Sequence, residues 1–248
     1  MERKGERMLA QTVGARVARG VFVIGTLRPI IRHYVHPKVS GLENLLELQP
    51  PFLLAANHSS HMDTPLILMS LPRELRHRTL VAAASDYFYS RRLLGAFVSM
   101  AVGAVPIERR AASRQTMARV NRLLSQKWCL LMFPEGSRTP DGRLYRGKTG
   151  IARVALSAGV PVVPVGIVGT YQSMPSGRSW PEPGQVEVRF GKPLLFEKNP
   201  RDAAKRTVLR TTADQIMHEI MTLTEQTYVD HYATQVKARP SPDPPDPS

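Results

Sequence analysis

A chain of 248 residues with 42% hydrophobic content can bury one sizeable core, which excludes disorder of the whole and suits one large domain or a domain with an appendage. The single cysteine, Cys129, excludes an internal disulfide and a multi-cysteine metal site, and its place in the apolar run 128–133 reads as a buried strand residue rather than a nucleophile. A formal charge of +14 calls for an anionic partner: nucleic acid, an anionic membrane surface or a phosphorylated substrate. Basic residues are scattered as pairs such as Arg91-Arg92 and Arg109-Arg110, with no run interleaved with aromatics, so no nucleic-acid partner is expected.

Residues 1–38 carry a local net charge of +6 and the apolar residues Leu9, Val13, Val17, Val21, Ile24, Leu27 and Ile31, which recur every three or four positions and so share one side of a helix. Two readings fit: a helix packed on the domain, or an interfacial helix with its apolar stripe in the acyl region and arginines among anionic headgroups. The segment has no apolar core followed by a small-residue cleavage site, so no secretory signal is expected. No stretch reaches the ~20 predominantly apolar residues of a spanning helix. The longest uncharged one, 93–107, contains Gly95, Gly103 and Pro106 and reads as a buried helix passing into a strand.

From residue 39 short apolar runs alternate with helix-compatible segments, which predicts an α/β domain with one mixed sheet flanked by helices. Strands are expected at 52–56, 80–84, 102–107 and 128–133, with a helix over 113–125 before the last of these. A second helix over 149–158 is closed by Gly159 as a C-cap. A strand over 160–168 carries Pro161 and Pro164, whose missing N–H groups argue for a sheet edge or an irregular start. Residues 185–190 alternate Val186, Val188 and Phe190 with polar positions as a half-solvated strand does, and 202–232 is a long helix-compatible segment. The last nine residues hold five prolines and predict a disordered tail. The domain division is then 1–38, a basic N-terminal helical segment; 39–236, the α/β domain; and 237–248, the tail.

Two polar clusters stand where apolar strands end. Asn57-His58-Ser59-Ser60-His61-Met62-Asp63 follows the first strand and precedes an apolar helical stretch. If the turn curls back, Asp63 can hold one imidazole nitrogen of His58 and leave the other to take a proton from a hydroxyl; the alternative for Asp63 is a helix cap. With no Ser or Cys nucleophile beside them, the pair suits direct transfer to a substrate alcohol. Phe133-Pro134-Glu135-Gly136-Ser137-Arg138-Thr139-Pro140-Asp141-Gly142 follows the fourth strand. Arg138 offers a planar fork matched to phosphate, Gly136 lets the backbone approach a ligand, and Glu135 can orient the arginine or bind a ligand hydroxyl. The alternative is a β-turn with a surface ion pair, and Pro140-Asp141-Gly142 is such a turn.

His58-x4-Asp63, then Gly103-Ala-Val-Pro-Ile-Glu-Arg109, then Phe-Pro-Glu-Gly-Ser-Arg at 133–138, then Val162-Val-Pro-Val165 together resemble the four ordered motifs of the glycerolipid acyltransferase family, whose best-known members are 1-acyl-glycerol-3-phosphate acyltransferases. The resemblance covers roughly residues 40–195. It implies His58 as general base with Asp63 its orienter, Arg109, Glu135, Gly136 and Arg138 at the acceptor, and the Val-Pro-Val strand on the acyl side. It further implies an acyl-CoA or acyl-carrier-protein thioester as donor, a lysophospholipid acceptor such as 1-acyl-sn-glycerol 3-phosphate, phosphatidic acid as product and no covalent acyl-enzyme. No metal and no prosthetic cofactor are expected. The implied location is the cytoplasmic face of an anionic membrane, held peripherally or monotopically through the N-terminal segment. An oxyanion would be stabilised by the helix N-terminus after residue 58 or by nearby backbone N–H groups. One departure is Pro106, where many relatives carry phenylalanine. The rival readings are a metal-dependent hydrolase using His58, His61 and Asp63, and a non-catalytic lipid- or nucleic-acid-binding protein.

Overall fold

The structure, a computed structural model, describes residues 28–84, 103–107, 114–175, 178 and 180–237 and the single positions 14, 21 and 25. Most of the N-terminal stripe, Arg109 and the tail from 238 onward lie outside the described residues. The first described helix, α1 (Arg28–Tyr34), runs directly into β1 (Val35–Ser40). Within α1 the packed-helix reading applies: Ile31 is buried in the core while Arg28, Arg32 and His33 are exposed. The sheet therefore begins at Val35, inside the stretch assigned to the N-terminal segment.

A short helix α2 (Glu43–Leu46) leads to β2 (Leu53–Ala56), and α3 (Asp63–Ser70) and α4 (Arg73–His77) lead to β3 (Thr79–Ala84). After β4 (Ala104–Ile107) come α5 (Arg114–Ser125), β5 (Cys129–Met132), β6 (Leu144–Tyr145), α6 (Gly150–Ala158) and β7 (Val162–Val168). The chain closes with α7 (Thr170–Ser173), β8 (Gly184–Phe190), a 3-10 turn (Asp202–Ala204), α8 (Arg206–Thr224), β9 (Tyr228–Val229) and α9 (Ala233–Lys237).

The main sheet has the order β1-β8-β7-β2-β5-β3-β4. Pairing is parallel from β7 through β2, β5 and β3 to β4, antiparallel between β7 and β8, and parallel again between β8 and β1, so the sheet is mixed as expected. β2 reads as an unbroken apolar run because both faces of the sheet are covered. Phe52, Leu54 and Ala56 face a core shared with Met62, Leu66 and Ile67, while Leu53 and Ala55 face Val120, Leu123, Val154, Ile216 and Ile220 from α5, α6 and α8. Each fully buried leucine or isoleucine of these layers is worth about 1.5–3 kcal/mol. The free cysteine, Cys129, sits in the sheet, where burial pushes its thiol up to about 12.

β7 corrects the edge expectation, because it lies between β8 and β2 with Val162, Val163 and Val165 fully buried. Pro161 precedes the strand. Pro164 accepts a bond from the Gly191 N–H at 2.8 Å on the β8 side, where the regular ladder has stopped at Val165↔Phe190 and resumes only as the isolated bridge Val162↔Leu194. The proline thus occupies a gap in which no N–H is called for, and an interior strand tolerates it. The Val-Pro-Val residues are core on both faces of the sheet. Gly159 takes the left-handed C-cap conformation at φ 65°, as expected. The helical reading of 202–232 holds only to Thr224, since Glu225 turns left-handed at φ 57° and the chain then runs back as β9 to pair with β6.

Candidate active site

β2 and β5 are parallel neighbours, so their C-terminal ends open on the same edge of the sheet and the two polar clusters meet there. Asn57 ends β2 by imitating one more ladder residue: its side-chain Nδ2 donates to the Ile167 carbonyl and its Oδ1 accepts from the Ile167 N–H, both at 2.8 Å. The next residue, His58, is gripped along its whole length. Its backbone N–H donates to Glu135 Oε1 at 2.9 Å, and its carbonyl accepts from the Thr139 N–H at 2.8 Å. Its ring stacks on Phe133, with centroids 4.0 Å apart and planes 20° apart, and Nδ1 lies 2.9 Å from Asp63 Oδ2.

Asp63 is fully buried, and the same Oδ2 also accepts from the backbone N–H groups of Ser59 (2.6 Å) and Ser60 (2.8 Å). A carboxylate that accepts from Nδ1 fixes the tautomer that leaves Nε2 as the basic nitrogen of a side chain 21% exposed. The turn therefore does curl back. Asp63 is the first residue of α3, yet its oxygen binds the histidine together with the loop before the helix. The N–H groups of 58–60 are spent on Glu135 and Asp63, and Met62 N–H goes to Ser60 Oγ at 3.2 Å. Of the oxyanion donors expected after residue 58, the N–H groups of Ser59, Ser60, Met62 and Asp63 are thus already committed.

Glu135 has a use that the local sequence does not disclose. It is 1% exposed, with one oxygen on the His58 N–H and the other accepting the Tyr145 N–H at 2.9 Å. It ties the base to the start of β6 and is a positioning residue rather than a surface group reaching for ligand. Burial pushes its carboxyl up to about 8, against the opposing pull of the two backbone bonds. Gly136 is exposed at φ 69°, and a Cβ there would come within 2.9 Å of Lys148 Nζ. Arg138 is half-buried beside the base: burial first, and the Arg138 charge second, lower the pKa values of both His61 and Lys237. The Pro140-Asp141-Gly142 turn forms, with Thr139 Oγ1 accepting from the Gly142 N–H at 3.1 Å.

His58, Asp63, Glu135, Gly136 and Arg138 are brought together. Arg109 lies outside the described residues, although β4, which ends at Ile107, runs parallel to β3 and so points its C-terminal end to the same edge. Among the described residues no group of three or more His, Cys, Asp or Glu could hold a metal ion, so His58, His61 and Asp63 do not converge as a ligand set. Sequence reasoning missed Gln226, whose Oε1 accepts from Asn57 Nδ2 at 3.0 Å and whose Nε2 donates to the Gly142 carbonyl at 2.6 Å. It also missed Tyr145 and Lys237. Gln226 and Lys237 reach the site from distant positions, Tyr145 does so through its backbone N–H, and no local pattern marks them.

The family model for Acyltransferase matches residues 36–168, from β1 to the end of β7. A chloroplastic 1-acyl-sn-glycerol-3-phosphate acyltransferase of Brassica napus is 32% identical over 163 residues, covering 64% of this chain and 45% of its own. A 1-acyl-sn-glycerol-3-phosphate acyltransferase of Chlamydomonas reinhardtii is 31% identical over 185 residues, covering 72% of this chain and 54% of its own. The chain thus spans about half the length of these curated relatives. The crystal structure of the 1-acyl-sn-glycerophosphate acyltransferase of Thermotoga maritima has the same fold, with a TM-score of 0.61 at 24% identity over 96% of this chain and 86% of that one.

Proposed function

The chain belongs to the acyltransferase family, and on that premise we propose that it moves a fatty acyl group from an acyl-CoA or acyl-carrier-protein thioester to the free hydroxyl of 1-acyl-sn-glycerol 3-phosphate, giving phosphatidic acid. The observation that carries the reading is the His58–Asp63 pair at 2.9 Å, at a strand end shared with Arg138. Nε2 of His58 takes the hydroxyl proton as the oxygen attacks the thioester carbonyl. The C–O bond forms, the tetrahedral intermediate collapses with loss of the C–S bond, and the thiolate leaves with the proton held by His58. No acyl-enzyme forms on this route, and it calls for no metal or prosthetic group. Buried Asp63 steadies the imidazolium between the two transfers, as an ionised partner in a water-poor site can.

Arg138, with Arg109, holds the acceptor phosphate so that its hydroxyl meets His58, which is where positioning lowers the barrier. The acceptor is a lipid, and the basic N-terminal segment suits the anionic, cytoplasmic face of a membrane. Among the described residues no helix is long and apolar enough to cross one.

The test is incubation of the purified chain with labelled acyl donor and a panel of lysolipids, with products identified by mass. Phosphatidic acid formation is expected, and His58→Ala is expected to abolish it while the chain stays folded by circular dichroism. Transfer by the variant at the wild-type rate would sink the mechanism, and equal transfer to acceptors with and without phosphate would sink the acceptor assignment.

A further inference from the structure

The family match ends at residue 168, yet the rim of the site is built in part by residues 225–237. After α8 stops, Gln226 bridges Asn57 and Gly142, β9 pairs with β6, and Arg146 accepts this strap with its N–H on the Val229 and His231 carbonyls, both at 3.1 Å. The Arg146 guanidinium also pairs with Asp230 at 3.3 Å and lies 5.8 Å from the centre of the Tyr232 ring. Ala233 is fully buried, so the short helix α9 that it opens is anchored rather than adrift. The last residue of α9, Lys237, donates from Nζ to Ser137 Oγ at 3.1 Å, across a separation of 100 residues.

We propose that Lys237 is a further cation of the acceptor site, binding the same phosphate monoester as Arg138, so that the anion is gripped between the 135–138 loop and the C-terminal strap. Three observations carry it. Lys237 points its ammonium to the ligand-facing loop rather than back along its own helix, and Ser137 takes only one of the three N–H donors of an ammonium. Its charge stands beside that of Arg138, and two like charges gathered at a strand-end site are relieved by an anion between them. Glu135, the acid on that loop, already has both oxygens on backbone N–H groups, so neither is free to take the ammonium's remaining donors. Lys148, reaching across Gly136, adds to the positive character of the same loop. A dianionic phosphate monoester matches this better than a singly charged diester.

The inference rests on the proposed acceptor, and the experiment separates the two. Kinetics are measured with a short-chain 1-acyl-glycerol 3-phosphate below its critical micelle concentration, together with inhibition by inorganic phosphate, for the wild type, Lys237→Gln, Lys237→Arg and Lys192→Gln. Lys192 is exposed beyond the far end of β8 and serves as a charge-matched control. Lys237→Gln is expected to raise the acceptor KM about threefold to tenfold and to weaken phosphate inhibition by the same factor, with kcat and the donor KM within about twofold of wild type. Lys237→Arg restores both, and Lys192→Gln changes neither. An unchanged acceptor KM overturns the proposal. So does a rise in the donor KM, which would assign the lysine to the phosphates of coenzyme A, or a fall in kcat that arginine does not rescue, which would mark a merely structural tie. If the wild type acylates no phosphate-bearing lysolipid, the functional reading fails, and direct titration with inorganic phosphate then decides on Lys237: undiminished binding by Lys237→Gln overturns it and weakened binding upholds it.

Discussion

Replacing Glu135 by glutamine separates a clamp from a ligand-binding group. The carboxyl is 1% exposed and serves two backbone N–H groups, those of His58 and Tyr145, each at 2.9 Å. Glutamine keeps one acceptor oxygen, so one of these N–H groups is left facing an NH2. A buried donor left unpaired costs about 1–3 kcal/mol, which sets the expected loss of stability. His58 is fixed at four points, and losing its N–H anchor leaves Thr139, Phe133 and Asp63 to hold it. A displacement approaching 1 Å at a general base costs up to about 10²-fold, so kcat is expected to fall between about 10-fold and 100-fold.

The pH dependence has a definite sign. In the unfolded chain Glu135 releases its proton near 4.5, whereas in the folded chain burial holds it to about 8. Between these values the native state binds the extra proton, so the contribution of Glu135 to stability is full below about 4.5 and is lost as pH rises to about 8, at no more than about 1.4 kcal/mol per pH unit. Urea unfolding at pH 5.5, 6.5, 7.5 and 8.5, with steady-state kinetics alongside, is the assay. The stability gap between wild type and Glu135→Gln should be widest at pH 5.5 and narrow toward pH 8.5. A variant with wild-type stability at every pH and a rise confined to the acceptor KM would refute the clamp and return Glu135 to ligand binding.

Other changes bear on the same site. Asp63→Asn can place its one oxygen where Oδ2 now accepts from His58, Ser59 and Ser60, so the chain should fold, while kcat falls by about 10-fold to 10³-fold, the range that follows from losing a charged hydrogen bond or a full ion pair with the imidazolium. Asp63→Ala leaves two buried N–H groups unpaired and should destabilise by about 2–6 kcal/mol in chemical denaturation; a wild-type kcat in Asp63→Asn would count against a role for the charge. Gly136→Ala adds a Cβ at φ 69° against Lys148 Nζ and should cost about 1–2 kcal/mol, raising the acceptor KM with the donor KM held; a donor-side effect instead would move the loop to the other substrate.

The sequence by itself determined the class of fold and most of its elements, because hydrophobic period and caps are local. The runs at 52–56 and 128–133 form the strands expected there, and Gly159 closed its helix as read. It also marked His58, Asp63, Gly136 and Arg138, since their residue types stand in short motifs at strand ends. Tertiary structure decided what no window of neighbours contains. Pro164 belongs to an interior strand because the ladder to β8 is interrupted opposite it, and a residue cannot announce the register of a partner such as Gly191, far along the chain. Asn57 is matched to Ile167 across 110 residues and Gln226 to Asn57 across 169. Glu135 looked like a ligand-binding acid and is a clamp, because the distinction lies in which N–H groups the fold delivers to its two oxygens. Lys237 falls where the tail was expected to begin, and it reaches the site only because Glu225 reverses the chain and β9 carries it back across β6.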